Sequence, residues 1–240
     1  MPYHIKASAG DIAENVIAVG DPGRAELLSK LLDDVVLVNS NRGLLVYTGL
    51  YKDGRVTIAT HGIGSSSALI VFEELAMLGA KRIVRLGSAG GLRRDLEIGD
   101  VVVATTAYYP AGGCGLQQYL NNNCGATAPN PLLITSIIRE LAGNRIKYVM
   151  GPVYSSDAFY AESKDFVEKM SKLGVLAVEM ETAALYTLGW IRGFETASIL
   201  VISNNLITGV VVDSFDLLKN RFVEIARVIL EVFSRGVEKI

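Results

Sequence analysis

Short apolar, β-branched runs alternate along the 240 residues with segments whose apolar positions recur every three or four residues. The runs at 16–19, 44–48, 56–60, 83–86, 101–105, 148–153, 177–180 and 198–203 predict strands. The segments at 25–32, 65–78, 131–142, 164–173, 181–192 and 215–233 predict helices. Between two strand runs, Lys52-Asp53-Gly54-Arg55 is a hairpin signal, so at least one strand pair is antiparallel. Strands and helices that alternate throughout predict an α/β fold with a mixed central β-sheet flanked by helices. A single domain over residues 1–240 is expected, because proline and glycine cluster only in short turns and no repeat of about 20–50 residues is present. The longest irregular stretch, 108–129, has the Gly and Asn content of a functional loop.

Composition narrows the partners. Half of the residues are apolar, 20% are charged and the formal net charge is −2, so no basic excess points to nucleic acid or an anionic membrane. Phosphate recognition has to be local. The first residues lack the apolar core of a signal peptide, and no apolar run approaches the roughly 18 residues of a membrane span, so a cytoplasmic protein is expected. Cys114 and Cys124 lack zinc-site spacing and the chain has two histidines, so no metal site is expected and both thiols are read as free.

Three segments could carry chemistry. Gly20-Asp21-Pro22-Gly23-Arg24 lies between the first strand and a helix, where backbone N–H groups and a guanidinium can converge on an anion; as a bare sequence it is also an ordinary tight turn. Arg85 interrupts an otherwise apolar strand, and a buried guanidinium requires an anionic partner, either a ligand or an internal carboxylate. Gly87-Ser88-Ala89-Gly90-Gly91 after it permits close backbone approach at a strand's carboxyl end, the usual ligand position in an open α/β sheet. Ala177-Val178-Glu179-Met180-Glu181 sets two carboxylates around a thioether where a strand pattern gives way to a helical one. A dinucleotide fold is disfavoured, because Gly62-Ile63-Gly64 does not complete Gly-x-Gly-x-x-Gly.

These segments, with Asn41-Arg42-Gly43, Tyr47-Thr48-Gly49, Thr60-His61-Gly62-Ile63-Gly64 and Ser155-Ser156-Asp157-x-Phe159-Tyr160, occur in the order found in nucleoside phosphorylases. The chain resembles the family of purine nucleoside, methylthioadenosine and uridine phosphorylases over about residues 4–209, with its closest likeness to the short archaeal-type purine and methylthioadenosine enzymes. The resemblance implies reversible phosphorolysis, in which phosphate attacks C1′ of a ribonucleoside to give free base and ribose 1-phosphate. No metal or organic cofactor is implied, and inorganic phosphate is the co-substrate. Gly20, Arg24, Arg42, Arg85 and Ser88 would hold phosphate, a set that hydrolytic nucleosidases do not need. His4, Met180 and Glu181 would bind ribose, Glu181 accepting from the 2′ and 3′ hydroxyls. Phe159 would stack on the base, with Val178, Glu179, Ser203 and Asn204 around it. In the family, His4 and Arg42 serve the adjacent subunit's site, which implies a homo-oligomer of at least two subunits, a hexamer by likeness.

The resemblance leaves the base open. Purine-specific members carry, at the position of Asn204, an Asp that protonates N7 of the leaving base, and an amide has no such proton to give. Uridine phosphorylases read uracil with a Gln and an Arg soon after the Phe-Tyr pair, where this chain has Ala161-Glu162-Ser163-Lys164. A purine nucleoside is the reading on overall likeness, with uridine as its rival; a nucleosidase or a nucleoside-binding protein of the same fold stands behind both.

Overall fold

The computed structural model describes residues 2–212 and 215–237. Ten strands form one mixed sheet: β1 (Asn15–Val19), β2 (Asp33–Asn39), β3 (Val46–Tyr51), β4 (Gly54–Thr60), β5 (Arg82–Gly91), β6 (Val101–Tyr108), β7 (Tyr148–Ser155), β8 (Ala177–Glu179), β9 (Glu195–Asn205) and β10 (Val210–Val211). The helices are α1 (Pro22–Ser29), α2 (Ser65–Met77), the single turn α3 (Gln117–Leu120), α4 (Pro131–Gly143), α5 (Lys164–Lys172), α6 (Thr182–Arg192) and α7 (Phe215–Arg235).

The strand order is β10-β9-β6-β7-β8-β5-β1-β4-β3-β2, and β9 also pairs with β5. That extra pairing closes β5, β9, β6, β7 and β8 into a ring, while β1, β4, β3 and β2 extend from β5 as an open sheet. The ring is possible because β5 and β9 run parallel from Arg82 and Glu195 to Gly91 and Asn205, with a register shift between Ala89 and Gly90 that bends the pair. Period-two alternation supplies two apolar faces. On β1, Val16 and Ala18 pack with Phe72 and Leu75 of α2 and Tyr186 and Leu188 of α6, whereas Ile17 and Val19 pack with Leu28 of α1, Leu133 of α4 and Phe222 and Ile225 of α7.

The α/β class, the mixed sheet and the flanking helices match the sequence reading, and the hairpin is the antiparallel pair β3–β4. Several boundaries differ. β2 was not expected: Val35, Val36 and Leu37 are exposed on an edge strand, so their apolar run carries no burial alternation. β3 begins at Val46 rather than 44, because residues 41–43 form a tight 3-10 turn. β5 continues through its glycines to Gly91, since pairing with β9 supplies the hydrogen bonds that a lone Gly-rich segment would lack. The end of the stretch 108–129 packs over α6: Thr187 donates to Ala126 O at 3.1 Å and Trp190 to Ala128 O at 2.8 Å. Both cysteines are free, and burial pushes the Cys114 thiol up to about 12. Among the described residues no helix is long and apolar enough to cross a membrane.

The N-terminal segment is tied to α2 by one carboxylate. Glu74 accepts from the backbone N–H groups of Tyr3 at 2.9 Å, His4 at 2.9 Å and Ile5 at 2.6 Å, and its Oε1 lies 2.8 Å from His4 Nδ1. Burial raises its pKa, but these hydrogen bonds outweigh burial and leave the carboxyl below its usual range. Replacing Glu74 with Gln removes one acceptor oxygen, so about 1–3 kcal/mol of stability and much of the exchange protection of the Ile5 amide should be lost. Amide hydrogen exchange checks this, and an unchanged Ile5 rate would show that the tether lies elsewhere.

Candidate active site

The carboxyl ends of β1, β4, β5, β8 and β9 open on a cleft of about 1070 Å³. Gly20, Arg24, Arg42, Arg85, Ser88, Phe159, Val178, Glu179, Met180, Glu181, Ser203 and Asn204 all border it. His4 does not border the cleft of its own chain, being held against Glu74, while Arg42 does, from a turn in which its φ is 58°.

Arg85 sits at the centre of this arrangement. On β5 the residues Ile83, Arg85 and Gly87 share one face, and a Cβ at Gly87 would overlap the Arg85 guanidinium. The absent side chain is therefore the space the guanidinium occupies. The side chain is 4% exposed, bonded through Nη2 to Glu181, with Nη1 3.2 Å from Glu179 Oε2. Burial alone would lower its pKa, but the charges of Glu181 and Glu179 outweigh that and raise it. The sequence alternatives for Arg85, ligand or internal carboxylate, thus resolve partly to the second, while the buried Nε and Nη1 have no hydrogen-bond partner among the described residues.

The two carboxylates arrive by a bend the strand pattern required. β8 ends at Glu179, Met180 turns, and Glu181 occupies the N-cap of α6 with φ −141° and ψ −16°. Glu179 is buried, its carboxylate accepting from the N–H groups of Glu181 and Thr182, each at 2.9 Å, and from the Ser155 hydroxyl. It thereby satisfies the free donors at the start of α6 and complements the helix dipole, while still bordering the cleft with its side chain buried beside Arg85. Glu181 accepts from Gly64 N–H at 2.6 Å as well as from Arg85. Gly64 can present that N–H because its φ is 85°, a conformation glycine adopts without strain.

At the opposite wall, Asp21 caps α1 by accepting the Arg24 N–H at 2.8 Å, with Pro22 opening the helix. The Arg24 guanidinium lies 3.8 Å from the centre of the Phe222 ring, and burial lowers its pKa to about 10, which leaves it charged near neutrality. Three guanidiniums bordering one cleft can hold a polyanion. Phe159 is 59% exposed on a one-turn 3-10 helix, Phe159–Ala161. Asn204 borders the cleft near the end of β9 and its Oδ1 accepts from the Ser203 hydroxyl at 3.1 Å.

The sequence model of the Phosphorylase superfamily matches residues 14–233. The chain belongs to that superfamily. Purine nucleoside phosphorylases of DeoD type from Bacillus cereus and Bacillus thuringiensis are each 37% identical over 211 residues, 87% of this chain and 89% of the relative. Among solved structures, uridine phosphorylase from Vibrio fischeri ES114 matches with a TM-score of 0.90 at 31% identity, covering 98% of both chains. The same enzyme complexed with 6-hydroxy-1-naphthoic acid matches with a TM-score of 0.89. Similarity thus runs to superfamily members named for either class of base.

Several cleft residues carried no assigned role in the sequence reading: Thr60, Gly62, Ser67, Tyr160, Glu162 and Leu206. For Thr60 and Gly62 the signal was present, in the Thr60-His61-Gly62-Ile63-Gly64 motif that follows β4. His61 is fully buried; burial first, then the Arg85 charge, hold its pKa well below the usual imidazole range. The folded chain therefore keeps His61 neutral, while the unfolded chain protonates it below about pH 6.5, so stability falls as pH drops through that value. A His61→Gln variant should lose that dependence, up to about 1.4 kcal/mol per pH unit between pH 6.5 and 5. Urea unfolding at pH 5, 6 and 7 reads the slope; equal slopes in both proteins would exclude a neutral His61.

Proposed function

We propose that this protein catalyses reversible phosphorolysis of a purine nucleoside, with inorganic phosphate as co-substrate and no metal or organic cofactor. One observation carries the reading: Arg24, Arg42 and Arg85 border the same cleft as a buried Glu181 and an exposed Phe159. Phosphate held by the arginines together with Gly20 and Ser88 would be desolvated and aligned for attack at C1′. Glu181 would accept from the 2′ and 3′ hydroxyls, Met180 would pack on the ribose, and Phe159 would stack on the base. As C1′ gains cationic character, the clamped dianion and the Glu181 carboxylate stabilise it in a site already organised before the reaction. The curated relatives named purine nucleoside phosphorylase support the purine reading.

Uridine is the second reading, supported by the match to uridine phosphorylase, although the Gln and Arg of the uracil-reading enzymes are absent. We further propose a cytoplasmic homo-oligomer of at least two subunits, in a hexamer, in which His4, which does not border its own chain's cleft, serves the neighbour's ribose site.

Base release from adenosine, inosine, methylthioadenosine and uridine, with and without phosphate, tests the reading. Phosphate-dependent release with formation of ribose 1-phosphate is expected for the purine nucleosides. Release that ignores phosphate would instead identify a nucleosidase, and faster turnover of uridine would favour the second reading. Arg85→Met should reduce kcat/KM about 10²–10³-fold, with a raised KM for phosphate.

A further inference from the structure

Among the described residues, four carboxyl side chains border the cleft: Asp21, Glu162, Glu179 and Glu181. Three are committed, Asp21 to capping α1, Glu179 to capping α6 beside Arg85, and Glu181 to Arg85 and Gly64. Glu162 pairs with no Lys or Arg among the described residues, and its hydrogen-bonding neighbour is the Ser156 hydroxyl. It follows directly on the 3-10 turn Phe159–Ala161. Glu162 is the C-cap of that turn, three residues after Phe159. Both face the cleft, as do Ser203, Asn204 and Leu206. A base stacked on Phe159 would lie in the same cleft as the Glu162 carboxyl.

We propose that Glu162 is the general acid for the leaving base, in place of the proton that Asn204 lacks, and that the base is a 6-aminopurine; this rests on the phosphorolysis reading. Burial raises the pKa of Glu162, partly offset by Ser156, so a larger share of it is protonated near neutrality than of an exposed glutamic acid. A protonated carboxyl offers one donor and one acceptor side by side, the complement of N7 and the 6-amino group. A 6-oxopurine would set its carbonyl against the acid's carbonyl. In the step itself, a bond forms between a phosphate oxygen and C1′. The C1′–N9 bond breaks with its electron pair leaving on the purine, while the Glu162 proton moves to N7. Hydrogen phosphate dianion and nucleoside become ribose 1-phosphate dianion and neutral base. The glutamate regains a proton from solvent, balanced by the one that the phosphate releases.

The test compares wild type and Glu162→Gln on adenosine and on 7-methylguanosine, whose ring is already cationic and needs no proton. The Gln amide keeps a donor and an acceptor but cannot transfer a proton. On adenosine, kcat should fall about 10²-fold or more with KM within about threefold, while 7-methylguanosine loses less than about tenfold and shows that the variant is folded. Equal loss on both substrates, or no loss on adenosine, overturns the assignment. Wild type should favour adenosine over inosine at least about tenfold in kcat/KM, and the reverse order overturns the 6-amino assignment. If wild-type protein releases no base from any nucleoside with phosphate present, the phosphorolysis reading itself fails; if it does and the variant keeps its adenosine kcat, only the role of Glu162 fails.

Discussion

The burial of the Arg85 guanidinium between Glu179 and Glu181 ties the fold to the site. A buried cation is tolerable only with anions beside it, and here both anions come from the junction of β8 and α6. That junction must bend at Met180, the helix must start at Thr182, and β5 must carry glycine at 87 to leave room for the side chain. Glu179 serves twice, facing Arg85 and satisfying the first N–H groups of α6. Sheet pairing, helix start and charge placement therefore hold one another in position, since removal of any one leaves a buried charge or donor without its partner.

This arrangement divides the cleft into two parts with different supports. The part built on Arg24, Arg85, Glu179 and Glu181 stands on strands in the middle of the sheet and on helix starts, where neighbours on several sides fix the backbone. The part near Phe159 stands on a single 3-10 turn and on the tail of β9 beside the two-residue strand β10. A surface supported so lightly can change its side chains without disturbing the sheet. Similarity to relatives named for a purine nucleoside and for uridine fits such a division.

Much of the fold was legible because burial leaves a periodic mark. β1, β4, β6 and the long helices are buried on defined faces, and their apolar spacing shows it. β2 left no such mark, being an edge strand with exposed valines. The glycine-rich end of β5 read as a loop because its strand character comes from pairing with β9, more than a hundred residues later in the chain.

For the site, the sequence by itself determined which residue types were available and in what order, since an Arg in an apolar strand and a Glu-Met-Glu at a strand end have few satisfactory environments. Only the tertiary structure decided which carboxylate faces what. The bend at Met180 sent the Glu179 carboxylate to the first N–H groups of α6 and left Glu181 beside the Gly64 N–H, two residues apart in the chain. Glu162 was marked in the chain only as part of the Ala161-Glu162-Ser163-Lys164 segment that stands in place of a uracil-reading Gln and Arg. Its position follows from a one-turn helix and from the prior commitment of the other three acids, and both depend on contacts between segments distant in sequence, which local propensity does not encode.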